Sequence, residues 1–188
     1  MTGGTRARLA VLSLAGAVAL ATSGCSLLSG GSGGADPASA GRPSIQIGPD
    51  KHVKGAIAST TVPYQGYKIQ ADIVSLTRYD KVTRLVFVVT PISSGSTDPL
   101  PKDTFGETDY TGDVAEVSLI DTKGLQEYDP QTRGSGDDAV CACSYPDDFP
   151  LDQPTTLYAD YPALPESVDH VTVLLSAAGP VPNVKVSS

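Results

Sequence analysis

The stretches YKIQADIVSLT (residues 67–77) and VTRLVFVVTPI (residues 82–92) decide the fold class of this chain. In the first, Tyr67, Ile69, Ala71 and Ile73 alternate with Lys68, Gln70 and Asp72. Successive side chains of a β-strand point to opposite faces, so this alternation marks a strand buried on one side. The second stretch is β-branched and nearly continuous in apolar residues, the pattern of a strand inside a sheet. Only a short polar link around Asp80-Lys81 separates the two, which predicts an antiparallel hairpin.

Working outward, residues 114–120 predict another strand. Asp121-Thr122-Lys123-Gly124 then reads as a turn in which Gly124 supplies a positive φ, and residues 125–128 form the returning strand. Residues 155–161 alternate again. Residues 168–176 place Val171, Val173 and Leu175 on one face and His170, Thr172 and Leu174 on the other. Residues 182–186 close the sheet with Val184 and Val186 inward. Pro and Gly interrupt almost every interval that could hold a helix. Seven to nine short strands in about 140 residues predict an all-β domain, an immunoglobulin-like β-sandwich spanning residues 44–188. A small barrel is the alternative.

The N-terminus is of another kind. Arg6 and Arg8 precede an uncharged run, residues 9–21, and Thr22-Ser23-Gly24 leads to Cys25. Thirteen residues are too few to span a bilayer, which takes roughly 20. A basic start, a short apolar core, small residues and then cysteine read as a lipoprotein signal peptide, residues 1–24. Cys25 is then the lipidated first residue of the mature chain, carrying a diacylglycerol and an amide-linked chain such as palmitate. Two or more chains anchor stably where one does not. The competing reading is an ordinary secretory signal with Cys25 incidental. Thr22 feeds it, because such signals usually carry Leu three residues before the cysteine. Residues 26–43 hold five Gly, four Ser, three Ala and two Pro, too little apolar surface to order themselves. With Cys25 they form a tether, residues 25–43, of roughly 20–25 Å mean reach.

The chain has 13 basic and 21 acidic residues. Removing Arg6 and Arg8 with the signal leaves the mature chain near −10. That balance argues against nucleic acid and against a basic membrane-binding patch. With no Trp and three Phe, the core must be built from Val, Leu, Ile and some Tyr.

Cys141-Ala142-Cys143 leaves three readings open: a local disulfide, a metal site, or free thiols. In a fully extended strand the two Cα atoms would lie about 6.6 Å apart, near the upper limit for a disulfide, so a bridge requires the chain to curl. An exported compartment permits such a bridge. A metal would need further ligands, and the only histidines are His52 and His170; the C-x-x-C spacing of zinc sites is absent. The acidic groups Asp137-Asp138, Asp147-Asp148 and Asp152, and the stretch Asp98, Asp103, Glu107, Asp109 and Asp113, read as solvated loops, since no calcium-loop pattern is present. Of the tyrosines, Tyr64, Tyr67, Tyr79, Tyr110, Tyr128, Tyr145, Tyr158 and Tyr161, most read as packing and some as lining for a groove. With only two histidines, the sequence offers no nucleophilic triad. The sequence assigns no catalytic residue, no metal ligand and no cofactor, and the chain is not read as an enzyme.

Three stretches together resemble a known family: Val117-Ser118-Leu119-Ile120-Asp121 with Tyr128; Cys141-Ala142-Cys143-Ser144; and Thr155-Thr156-Leu157-Tyr158-Ala159 leading to Tyr161-Pro162-Ala163-Leu164-Pro165. Over roughly residues 65–187 the pattern resembles the N-terminal β domain of exported actinobacterial OmpA-family lipoproteins, including its Cys-x-Cys-Ser element. The resemblance implies an immunoglobulin-like domain beyond the membrane, and no catalytic residues. The peptidoglycan-binding OmpA-like domain that follows in those proteins has no counterpart in this sequence, so its activity is not carried over.

The expectation is therefore a lipoprotein on the extracytoplasmic face of the cell membrane, its β domain serving as a binding or interaction module. Its partners are the membrane, through the lipid, and an unidentified envelope protein or cell-wall component. The alternatives are a structural accessory subunit of an envelope complex, or a redox or metal-handling protein using Cys141 and Cys143.

Overall fold

The two deciding stretches form the expected hairpin, and the rest of the fold is built on it. The computed structural model describes residues 45–106, 112–134 and 139–188. The expected signal peptide (residues 1–24), Cys25 and the expected tether (residues 25–43) lie outside the described residues, as do Glu107, Asp109, Tyr110, Asp137 and Asp138.

Strands β1 (Ala58–Tyr64), β2 (Tyr67–Arg78), β3 (Val82–Ser93) and β8 (Thr155–Pro162) make one antiparallel sheet in the order β1-β2-β3-β8. A second sheet runs β10-β9-β4-β5, from β4 (Val117–Asp121), β5 (Gln126–Tyr128), β9 (His170–Leu175) and β10 (Pro180–Lys185). A short ribbon pairs β6 (Thr132–Arg133) with β7 (Val140–Cys141). Among the described residues there is no α-helix, only 3₁₀ turns such as Lys102–Phe105, and no helix long and apolar enough to cross a membrane. The fold is all-β. The ten strands among the described residues exceed the expected seven to nine because of the two-residue pieces β6 and β7.

Local chemistry sets the connections. Gln65 and Gly66, at φ 43° and 86°, form the two-residue turn between β1 and β2. Positive φ at both central positions matches the twist of a hairpin, which favours glycine there. The turn after β4 departs from expectation. The positive φ, 54°, falls on Leu125, not on Gly124. Gly124 is needed for space instead: a Cβ there would collide with the Asp121 carboxylate, which accepts the Lys123 N–H at 2.9 Å.

The two open sheets contribute to one hydrophobic cluster. Ile69, Ala71, Ile73, Leu85, Phe87, Val89, Leu157 and Ala159 come from the first sheet, and Val117, Leu119, Val171, Val173, Leu175, Val181 and Val184 from the second. Each fully buried aliphatic side chain contributes about 1.5–3 kcal/mol. All three phenylalanines join this cluster edge to face, Phe87 to Phe105 at 6.5 Å and Phe105 to Phe149 at 5.4 Å. Tyr161 links the sheets directly, its hydroxyl donating to the Val117 carbonyl at 2.7 Å. Val171, Val173, Leu175, Val184 and Val186 are buried, as their spacing predicted.

The polar face of β2 does not behave as its alternation suggests. Gln70 and Asp72 are 2% and 0% exposed, because residues 45–57 cross the outside of the first sheet. This strap is a tight turn stitched by Gly48 N–H to the His52 carbonyl and Lys54 N–H to the Gln46 carbonyl, each 2.8 Å.

Candidate functional site

The Cys-Ala-Cys-Ser segment lies along the outer edge of β8. Cys141 and Cys143 are joined by a disulfide, with their Cα atoms 5.2 Å apart. The chain has curled from the extended spacing, as a bridge between residues i and i+2 requires. Cys143 is buried and bridges antiparallel to Ala159. The edge of β8 is then capped bond by bond. Asp160 N–H donates to the Ala142 carbonyl at 3.0 Å, Gln131 N–H to the Asp160 carbonyl at 2.7 Å, and Ala142 N–H to the Gln131 carbonyl at 2.7 Å. Ser144 N–H donates to the Tyr158 carbonyl at 2.9 Å, and Ser144 Oγ accepts the Tyr158 N–H at 2.8 Å. An open sheet edge invites pairing with other chains, and this segment covers it at Tyr158 and Asp160.

Beyond Ser144 the loop leaves the strand, and an open groove of about 330 Å³ lies between them. Its lining includes Ser144, Tyr145, Pro146, Thr155, Thr156 and Tyr158. Tyr145 and Tyr158 are 48% and 37% exposed, high for aromatic side chains. The Tyr145 hydroxyl donates to the Cys141 carbonyl at 3.3 Å. Partial burial and the charge of Asp113 push its phenol pKa up.

Tyr158 is supported from beside the groove. Arg84 lies 5.0 Å from its ring centroid and grips Asp160 with two bonds, 2.6 and 2.8 Å. The Asp160 hydrogen bonds raise the guanidinium pKa further, against the opposing effect of burial. A two-pronged pair of this kind fixes direction as well as charge.

A second polar cluster lies under the strap. The buried Asp72 carboxylate accepts from Ser59 Oγ at 2.5 Å, Val53 N–H at 3.1 Å and Gln70 Nε2 at 3.1 Å, with His52 Nδ1 at 2.8 Å. Burial alone would raise the Asp72 pKa; the hydrogen bonds from Ser59, His52, Gln70 and Val53 outweigh it and hold the group below its ordinary value. Gln70 also donates to the Lys51 carbonyl at 2.8 Å, and Lys51 pairs with Asp152 across the strap. Ser59 and His52 both meet the same oxygen, Asp72 Oδ1. Chemically this is a clasp that pins the strap.

The structure thus brings Cys141 and Cys143 together and sets Tyr145 and Tyr158 beside them. Asp147, Asp148 and Asp152 are exposed, as a solvated loop should be, but Asp113 is only 7% exposed, its Oδ1 accepting the Ala115 N–H at 3.2 Å. His52 is engaged by Asp72, and His170 lies exposed at the start of β9. Among the described residues no group of three or more His, Cys, Asp or Glu is placed to hold a metal. The Asp72 clasp and the Arg84–Asp160 pair each join residues far apart in the chain, so the alternation in residues 67–77 and 155–161 was the only sequence hint of them. No family model, no curated protein and no solved structure matches this chain.

Proposed function

We propose that this chain is an exported lipoprotein, anchored through Cys25 on the extracytoplasmic face of the membrane, whose immunoglobulin-like β-sandwich is a binding or interaction module. In this reading residues 1–24 are the signal, residues 25–43 the tether, and the family resemblance concerns the β domain alone. The observation that carries it is the Cys141–Cys143 disulfide. Disulfides persist in oxidising compartments and are rare in the cytosol, so the bridge supports the export read from the N-terminus. The single cluster shared by two open sheets supports a sandwich. Exposed tyrosines beside the disulfide loop support recognition at that end of the first sheet.

A binding role fits better than catalysis. At the Asp72 clasp, Ser59 and His52 each address the carboxylate, where a nucleophile would need Ser59 activated by a base. The test is intact-mass analysis of the protein purified from cell membranes. The expected species begins at Cys25 and carries thioether-linked diacylglycerol. A mature chain starting elsewhere, or Cys25 unmodified, would overturn the anchor.

A further inference from the structure

Alternate residues of an antiparallel strand turn both main-chain groups toward the same neighbour. Along β8, Tyr158 and Asp160 turn theirs toward the Cys-loop, where Ser144, Ala142 and Gln131 take them. The next residue in that series is Thr156. It is exposed, and no described residue outside the sheet bonds its main chain. The unused edge ends there, because Pro154 has no N–H to offer. The groove therefore exposes one ladder position of a sheet edge, with the rings of Tyr145 and Tyr158 beside it.

The charge around this position has a sign. Asp113 stands close enough to raise the Tyr145 phenol, and Asp147 and Asp148 follow Pro146 as exposed carboxylates. On the positive side, Lys102 lies by Gly112, whose neighbour is the Pro146 carbonyl, and Arg84 is committed to Asp160. Among these named groups the carboxylates outnumber the cations. Tyrosine faces attract ammonium and guanidinium groups, as Arg84 over Tyr158 already illustrates within the molecule.

We propose that the groove between Tyr145 and Tyr158 receives a short extended peptide segment bearing lysine or arginine, its backbone adding to β8 at Thr156. Main-chain bonds at a sheet edge supply affinity in this mode, and side-chain pockets supply selectivity. With a single ladder position, most of the selectivity falls to the cation and the two rings. The inference rests on the interaction-module reading and names the chemistry of its partner.

The test uses the full chain and three synthetic hexapeptides: Thr-Val-Lys-Val-Lys-Thr, the same peptide with Glu for Lys, and the Lys peptide N-methylated on its central residues. The Lys peptide is expected to bind and to shift the Thr156 amide resonance. The Glu and N-methylated peptides should bind at least several-fold more weakly. Tyr145→Ala should weaken the Lys peptide by about two- to tenfold, the range for loss of one aromatic contact, while Leu125→Ala, on the β4–β5 turn of the second sheet and outside the groove lining, leaves it unchanged. Equal binding of the Lys and Glu peptides, or a Thr156 amide that does not move, overturns the proposal. If a chitin hexasaccharide shifts Tyr145 and Tyr158 where the Lys peptide does not, the peptide assignment fails and the module reading stands. If no photo-crosslink forms from position 145 in intact cells either, both fail.

Discussion

Ser144 satisfies both main-chain groups of Tyr158, donating its N–H to the carbonyl at 2.9 Å and accepting the amide on its Oγ at 2.8 Å. One residue thus ends the cover over β8 and begins the groove. Ser144→Ala keeps the first bond and removes the second, at a cost of about 0.5–1.5 kcal/mol. Hydrogen exchange is expected to quicken at the Tyr158 amide and stay unchanged at Asp160, whose partner is Ala142.

The disulfide should matter locally more than globally. Only one residue separates Cys141 from Cys143, so the loop it closes constrains the unfolded chain little. The double variant Cys141→Ala, Cys143→Ala is expected to lower the urea-measured stability by no more than about 2 kcal/mol, at the low end for disulfide loss. The same variant should strongly increase exchange at Ala142, Ser144 and Asp160. A uniform loss of protection through both sheets would assign the bridge a global role.

Asp72 should make the strap pH-dependent, and the sign follows from the hydrogen bonds that hold its pKa below the ordinary value. A carboxyl depressed in the folded state adds stability above its unfolded value near 3.8, and that contribution is lost as pH falls through the lower folded value. Exchange at Val53, whose N–H binds Asp72, should therefore rise in acid below about pH 4 while the core β3 amides hold. Asp72→Asn should flatten this dependence. It should also weaken the strap by about 1–3 kcal/mol, since an amide cannot accept from every donor that converges there.

The Arg84–Asp160 pair has side chains 16% and 3% exposed. Removing one member leaves a largely buried charge, so Asp160→Leu alone should cost about 3–5 kcal/mol by denaturant titration. The double variant Arg84→Met, Asp160→Leu should recover most of that loss, because the desolvation of both charges disappears together.

The legible part of this fold was what short-range pattern encodes. Alternation in residues 67–77 placed Ile69, Ala71 and Ile73 in the core, and the spacing of Val171, Val173 and Leu175 did the same for β9. Alternation says which residues share a face, not whether another segment covers it. Gln70 and Asp72 therefore looked solvent-facing, although a strap without periodicity of its own buries them. Gly124 failed as a positive-φ position for a similar reason: its contact with the Asp121 side chain depends on how the turn closes. For the site, the cysteine spacing named the disulfide among its options. The curl of residues 141–143 along β8, and the exposure of Tyr145 and Tyr158, depend on pairing between segments that no local pattern records.

The measurement closest to the central claim is site-specific photo-crosslinking in intact cells, with the photoreactive residue at Tyr145 and a control at Leu125, which is 90% exposed on the β4–β5 turn. A discrete envelope partner captured from position 145, and absent from position 125, is the expected result for an anchored module that recognises through its tyrosine groove. The same products from both positions, or none from position 145, would contradict it.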